Sequence, residues 1–507
     1  MAENHLFDRL FAVGAPDALA IEAPDRSYSY SDLLAETGRW AMALTGLGVA
    51  PGDRVVVQTE KSAAGVTLYL ACVRAGAVLV PLNPAYTLAE LAYFIADAEP
   101  ALVVCDPARR EAVASIAGGA RIETLDGAGE GSLADWAGAS ATEFETVARG
   151  AEDLAAICYT SGTTGRSKGA MLTHRALASN AETLTALWRF TADDVLIHAL
   201  PIFHVHGLFV AVNVTLMAGA SMILQPKFDI AAVLEAMPRA TAMMGVPTFY
   251  TRLLASDRLT GELAGPMRLF ISGSAPLLAG THNQWAQRTG QAILERYGMT
   301  ETGMNASNPY DGARVAGTVG QALPGVELRI ASESDGEPVG EGQIGVVEVR
   351  GPNLFAGYWR DPDKTRAAFT DDGWFRTGDL GYFDTDGYLR LVGRGSDLII
   401  SGGLNVYPAE VEDAIDATPG VIESAVIGLP HADFGEAVTA VVVASQPAPS
   451  EQAILSALEQ RLAGFKRPRR ILFVPALPRN AMGKVTKASL RQAHARLYAT
   501  NDPETGA

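Results

Sequence analysis

The chain has 507 residues, more than one ordinary hydrophobic core holds, so two or more domains are expected. Its composition, 48% hydrophobic and 19% charged, is that of a soluble globular protein. The net charge of −17 argues against nucleic acid or an anionic membrane as the main partner, because phosphate binding needs clustered Lys and Arg. The opening MAENHLFDRLF carries acids and no long apolar run, so no signal peptide is expected. Cys72, Cys105 and Cys158 are far apart in apolar contexts without CxxC spacing. They read as buried free thiols in a reducing, cytoplasmic compartment.

Taken in chain order, RVVVQTE (54–60), AVLVPL (77–82), ALVVCD (101–106) and LAAICYT (154–160) read as buried strands. Helical segments such as TLAELAYFIADAEP (87–100) separate them. The fold class is therefore α/β, with parallel-type sheets and flanking helices in a large N-terminal domain. The uncharged stretch from Ala199 to Pro226 contains two Pro, two His, Asn213 and Thr215. It predicts a buried helix and then a buried strand rather than a membrane span. From about 317, short alternating strands with Gly turns predict a β-rich module. Beyond Arg394 the pattern is strand, helix, two strands, helix, strand, a small α+β unit. The predicted divisions are 1–394, 395–498 and a polar tail, 499–507, expected to be disordered.

After the strand 154–160 comes SGTTGRSKG (161–169), which cannot continue it. Gly162, Gly165 and Gly169 permit close backbone approach, Ser161, Thr163 and Thr164 offer hydroxyls, and Lys168 supplies a cation. Those are the parts of a phosphate cradle. A Walker A loop is excluded by spacing. GRSKG also fits the GxSxG nucleophile elbow, which leaves a hydrolase as a competing reading, although an elbow turns into a helix at its Ser.

YTSGTTGRSKGA resembles the phosphate loop of the acyl-adenylate-forming superfamily of acyl-CoA synthetases, adenylation domains and luciferases. PIFHVHGL (201–208), SGSAPL (272–277), YGMTE (297–301), TGDLG (377–381), GRGSDLIISGGLNVYPAEVE (393–412) and PRNAMGKVTK (478–487) follow in the superfamily's order. Within it, PIFHVHGLFV, MGVPTFYTR (244–252), LFISGSAPL (269–277) and VIGLPHADFGE (426–436) are similar to the malonyl-CoA synthetases. The resemblance implies a mobile C-terminal lid and MgATP-dependent ligation of malonate, with methylmalonate as a second substrate, to coenzyme A through an acyl-adenylate. A ligase for another short-chain or aromatic acid is the alternative, and a non-catalytic nucleotide or acyl-CoA sensor a further one.

It also implies the site. Thr160, Ser161, Gly162, Thr163, Thr164, Gly165 and Lys168 would hold the β- and γ-phosphates, Thr300 the α-phosphate, and Glu301 the Mg²⁺ ion. Asp379 and Arg394 would take the ribose hydroxyls, and Ser274, Ala275, Pro276 and Tyr297 the adenine. Lys484 would reach the carboxylate and α-phosphate as the principal catalytic group, and it resembles a lysine at which related synthetases are switched off by an acetyltransferase. His204, as an aromatic gate, with His206 and Ser274 would line the acid pocket, and Arg252 would grip the distal carboxylate, because a second carboxylate cannot be buried unpaired. The pair His204 and His206 lacks further His or Cys ligands nearby, which argues against zinc. Ser396 stands at the hinge position, where relatives carry Asp or Lys. Ser401, Gly402 and Gly403 would line a pantetheine tunnel. Residues 461–496 hold ten Lys or Arg and no acid, and among them Phe465, Arg467 and Arg469 would clamp the CoA nucleotide.

Overall fold

The structure is a computed structural model, and it describes residues 3–160, 167–402, 404–431, 434–459, 461–480 and 483–498. The runs rich in Val and Leu near the N-terminus form a six-stranded sheet in the order Arg121–Thr124, Leu102–Cys105, Arg54–Gln58, Val78–Pro81, Leu154–Thr160, Lys168–Thr173. Every neighbouring pair is parallel except the last. Val55, Val56, Leu79, Val80, Val103 and Val104 are all buried, which is why these strands read as continuous apolar runs rather than alternating ones.

A second, nine-stranded sheet has a parallel centre made of Leu294–Met299, Leu269–Ser272, Ala242–Gly245, Val195–His198 and Ser221–Leu224. Helices between the strands carry their own start signals. Ser62 accepts from the Gly65 N–H at the head of Ala63–Ala75, and Thr87 and Glu90 form a reciprocal cap on Leu88–Ala98. One buried cluster joins both sheets and includes Trp188, Trp285, Tyr250 and Phe270. The stretch 199–226 holds a π-helix, His206–Val212, running into an α-helix, Asn213–Met217, and then the strand Ser221–Leu224. A π-turn inserts one residue into helical spacing and is frequent at functional sites.

A four-stranded antiparallel module follows, in the order Glu327–Ala331, Gly345–Arg350, Phe375–Phe383, Leu389–Arg394. After a short 3₁₀ turn at Gly395–Asp397, a five-stranded sheet begins at Ile399–Ser401 and packs helices Pro408–Asp416 and Glu451–Leu458 around its own core of Val411, Ile415, Val438, Ile454 and Leu458.

The phosphate-loop region departs from the sequence reading in one respect. Lys168 does not end a loop but opens the strand Lys168–Thr173, which pairs back on Leu154–Thr160 with Thr160 opposite Lys168. Gly169, Ala170, Leu172 and Thr173 are buried and Lys168 and Met171 half-buried, so the strand shows no clean alternation and its antiparallel pairing is seen only in the register. No helix starts at Ser167, so the nucleophile-elbow reading lacks the strand-to-helix turn that it needs. Ser161, Gly162, Thr163, Thr164, Gly165, Gly403 and the tail 499–507 lie outside the described residues.

Candidate active site

Strand ends from the two large sheets and the antiparallel module converge where ligands usually bind in α/β folds, beyond the carboxyl ends of parallel strands. On the phosphate side, Thr160 and Lys168 flank the loop as a cross-strand pair. The Lys168 ammonium sits 4.9 Å from the centroid of the Tyr358 ring. The Tyr358 hydroxyl donates to Glu301 Oε1 at 3.1 Å. Glu301 is buried at 6% exposure, and burial raises its carboxyl above the ordinary range. Thr300 is half-buried in the turn just before it. No group of three or more His, Cys, Asp or Glu able to hold a metal ion exists among the described residues.

On the nucleoside side, Asp379 is buried and uses both oxygens. Oδ2 accepts from the Tyr297 hydroxyl at 2.6 Å, and Oδ1 lies 3.1 Å from Arg394 Nε. A carboxylate has about four acceptor positions, so capacity remains for a ribose. Tyr297 thus meets the candidate ribose acceptor through its hydroxyl as well as presenting a ring. Ser274 has a left-handed φ of 70°, rare for a residue with a side chain, and lies beside the half-buried Ala275 and the exposed Pro276.

On the acid side, Ser274 Oγ stands 3.2 Å from His206 Nδ1, and the His206 N–H donates to His204 Nδ1 at 3.3 Å. Burial, then Arg296, pushes His204 down to about 4 and His206 well below the usual histidine range, so both rings are neutral at pH 7. Arg252 is exposed in the helix Pro247–Leu254. It lines a cavity of about 180 Å³ with Leu200, Pro201, Val246, Thr248 and Phe249, closed on the other side by Arg479, Asn480 and Gly483.

The sequence reading missed Arg296. It is 3% exposed, its Nε and Nη2 have no hydrogen-bond partner among the described residues, and burial lowers it to about 9. Its guanidinium lies flat against Gly273, where a Cβ would stand 2.5 Å from Cζ. A buried, unpartnered guanidinium next to the Ser274–His206 pair is a ready site for an anion.

The loop that carries Lys484 reaches over this site. Arg479 and Val485 form an isolated bridge, the Asn480 N–H donates to the Lys484 carbonyl at 2.9 Å, and Asn480 Oδ1 accepts from the Lys484 N–H at 3.0 Å. Gly483 takes φ 74°, and a Cβ there would meet Thr248 Oγ1 at 2.9 Å, so the loop abuts the large domain closely. Arg479 pairs with Glu423, and Lys487 with Glu412 at 2.7 Å. Lys484 feels Arg394, Asp379 and Asp397, and burial, followed by Arg394, holds its ammonium below the ordinary lysine value. Ser396 is exposed in the 3₁₀ turn, and one residue on Asp397 meets Arg491 at 2.6 Å.

Of the described candidate CoA residues, Ser401 ends a strand of the small sheet, Gly402 follows it in a turn, and Phe465, Arg467 and Arg469 lie in or just after the 3₁₀ turn Gly464–Lys466, before the strand Arg470–Phe473. Ser401 pairs with Leu404 and Gly435. Gly402 has φ 59°, and a Cβ there would make only ordinary contact with Phe434, so the backbone angle rather than lack of space calls for glycine. Phe465 is half-buried against the small-domain core, Arg467 lies 3.8 Å from Glu459, and the Arg469 guanidinium stacks 4.1 Å from the Phe434 centroid. These cationic groups are occupied within the chain in this arrangement.

Residues 9–359 match the AMP-binding enzyme family, and residues 410–484 match the AMP-binding enzyme C-terminal domain. The chain is 36% identical to a malonate–CoA ligase of Arabidopsis thaliana over 94% of this chain and 86% of that one. It is 37% identical to a feruloyl-CoA synthase of an Amycolatopsis species, over 94% and 96%. Among solved structures, ATP-bound MatB from Rhodopseudomonas palustris is 59% identical and superposes with a TM-score of 0.96 over 98% of this chain and 100% of that one; the apo form of the same protein gives 0.86. With its large domain, its C-terminal domain and nearly its whole length so matched, the chain belongs to the AMP-binding enzyme family.

Proposed function

We infer that this chain joins malonate to coenzyme A at the expense of ATP. One malonate carboxylate attacks the α-phosphorus and pyrophosphate leaves; the CoA thiol then attacks the acyl carbonyl and AMP leaves. Relatives near 36% identity are named for quite different acids, so the acid is argued from the pocket and from the malonate ligases. The single observation that carries it is Arg296, a buried cation with unsatisfied donors beside Ser274 and His206. A monocarboxylic acid would leave that charge unpaired, whereas a short diacid supplies the missing anion. Arg252, at the rim of the small cavity, is the second candidate for the distal carboxylate.

The other roles are proposals of the same kind. The loop at 160–168, with Lys168, neutralises the β- and γ-phosphates, Thr300 meets the α-phosphate, and Asp379 and Arg394 take the ribose. Ser274, Ala275, Pro276 and Tyr297 border the adenine. A Mg²⁺ ion bound with ATP would screen the charge of the triphosphate. Glu301 fits it: a buried carboxylate with one donor bound has room for a cation, and a single carboxylate plus phosphate oxygens is the usual Mg²⁺ arrangement. Lys484 screens the attacking carboxylate from the α-phosphate. The lid then turns about the segment at Ser396 to bring Ser401, Gly402, Gly403, Phe465, Arg467 and Arg469 to CoA. Domain limits of 1–394 and 395–498 go with this motion. The higher TM-score to the ATP-bound than to the apo neighbour supports an adenylating arrangement here.

Two finer points belong to this reading. Acetylation of Lys484 would remove the screening ammonium, and an acetylated preparation that keeps full adenylating activity would refute it. Three buried free thiols favour a cytoplasmic location, checked by cell fractionation. No helix among the described residues is long and apolar enough to cross a membrane.

The test of the main reading is CoA-dependent AMP release with malonate, methylmalonate, acetate, octanoate and benzoate. Malonate is expected to exceed the monocarboxylic acids by at least about tenfold; methylmalonate, one methyl larger, is separated by only about 1–3 kcal/mol. If Arg252 rather than Arg296 takes the distal carboxylate, Arg252→Ala cuts kcat/KM for malonate by orders of magnitude while the KM for ATP stays within about twofold. Equal rates with acetate or benzoate would remove the diacid reading.

A further inference from the structure

The segment Asn353–Trp359 ties together two parts of the site that lie far apart in sequence. On one side its backbone continues the phosphate hairpin. The Ala356 N–H donates to Met171 O at 2.8 Å, the Met171 N–H to Gly357 O at 3.0 Å and the Trp359 N–H to Gly169 O at 2.7 Å, and Tyr358 bridges to Ala170. On the other side the Phe355 N–H donates to Glu301 O at 2.8 Å, and Asn353 Nδ2 donates to Thr302 O at 2.7 Å and to Met304 O at 3.1 Å. Gly357 turns the chain with φ 127°, where a Cβ would strike Thr365 at 2.6 Å. Tyr358 stands in the middle, 8% exposed, and its N–H is held by Thr365 Oγ1 at 2.9 Å.

The Tyr358 side chain repeats that double connection. Its ring lies under the Lys168 ammonium at 4.9 Å, and its hydroxyl donates to Glu301 Oε1 at 3.1 Å. Lysine is a flexible four-carbon stem, and a ring face fixes its ammonium without neutralising it. A carboxylate that holds one hydrogen bond on one oxygen has its other oxygen aimed and free for a cation.

We propose that Tyr358 is a positioning residue that presets both the phosphate-binding cation, Lys168, and the metal-facing carboxylate, Glu301, and so couples nucleotide binding to divalent-cation binding. The proposal rests on the reading of this site as a MgATP site. Tyr358 touches neither substrate; it acts through the two groups that do.

The test uses the full chain and equilibrium binding of a fluorescent ATP analogue, titrated with and without Mg²⁺, beside the melting temperature. Tyr358→Phe keeps the ring and loses the hydroxyl. It is expected to raise the Mg²⁺ half-saturation by about tenfold, as loss of an outer partner does at metal sites, and to leave Mg²⁺-free nucleotide binding unchanged. Tyr358→Leu removes the ring as well and is expected to weaken Mg²⁺-free binding by about threefold or more. In a Glu301→Gln background, Tyr358→Phe should add no further Mg²⁺ effect, because the hydroxyl acts only through that carboxylate. Wild-type Mg²⁺ half-saturation in Tyr358→Phe, or an undiminished Tyr358→Phe effect on Glu301→Gln, would overturn the proposal. Losses that track the melting temperature, with malonate affinity falling equally, would overturn it too. A wild-type chain that binds no nucleotide would instead defeat the underlying reading of the site.

Discussion

Arg296 and Tyr297 are neighbours on one strand, Leu294–Met299, and face opposite pockets because strand side chains alternate between faces. Tyr297 reaches Asp379, while Arg296 reaches Gly273 and the histidine pair. Removing Arg296 should therefore separate function from stability. Arg296→Leu is expected to lower kcat/KM for malonate by roughly two to four orders of magnitude, the size of a lost buried ion pair of about 3–5 kcal/mol. Its melting temperature should stay equal or rise, since an unpaired buried cation is removed from the free protein. Malonate-dependent pyrophosphate exchange and calorimetry check the two halves; a large loss of stability with intact exchange would contradict both. The candidates Asp379, Glu301 and Lys484 could be named from the sequence only because their motifs resemble those of the superfamily; alone, each would read as a surface charge or a turn residue. Arg296 was not named, although the alternation rule applied to a strand already carrying Tyr297 would have pointed to it. Tyr358 was invisible for a different reason: its partners, Lys168 and Glu301, are 190 and 57 positions away in the chain.

At the scale of elements, the same strand carries a titratable device of its own. Glu295 is buried, its Oε1 lacks a partner, and burial pushes its carboxyl up to about 8. A raised carboxyl favours the folded state fully only below its unfolded value near 4.5, and that contribution is lost as pH rises through about 8. Glu295→Gln keeps the shape and cannot ionise. The wild type is expected to lose about 2–3 kcal/mol more than this variant between pH 6 and pH 9, measured by denaturant unfolding. Parallel curves for the two proteins would show that Glu295 is ionised and paired. Element types were readable because the parallel strands are uniformly apolar and the helices carry caps, as at Ser62 and Thr87. The strand Lys168–Thr173 was obscured by Gly169 beside a glycine-rich loop, and only its pairing with Leu154–Thr160 reveals it.

For the whole molecule the question is what the lid does in the arrangement seen here. Lys484 faces Asp379 and Arg394, while the loop behind it closes the cavity of Arg252 and Thr248. The cationic groups proposed for CoA are meanwhile engaged by Glu459 and Phe434. This arrangement suits the proposed first half-reaction, and sequence could not supply it, because the short 3₁₀ turn at Gly395–Asp397 carries no signal of how the segments on either side of it pack together. The most direct measurement is malonate-dependent exchange of labelled pyrophosphate into ATP, without CoA, for the wild type and for Lys484→Gln. The account predicts exchange in the wild type and a loss of about a hundredfold or more in the variant, which lacks the preset ammonium at the developing charge. Absence of exchange in the wild type, or equal exchange in both proteins, would contradict it.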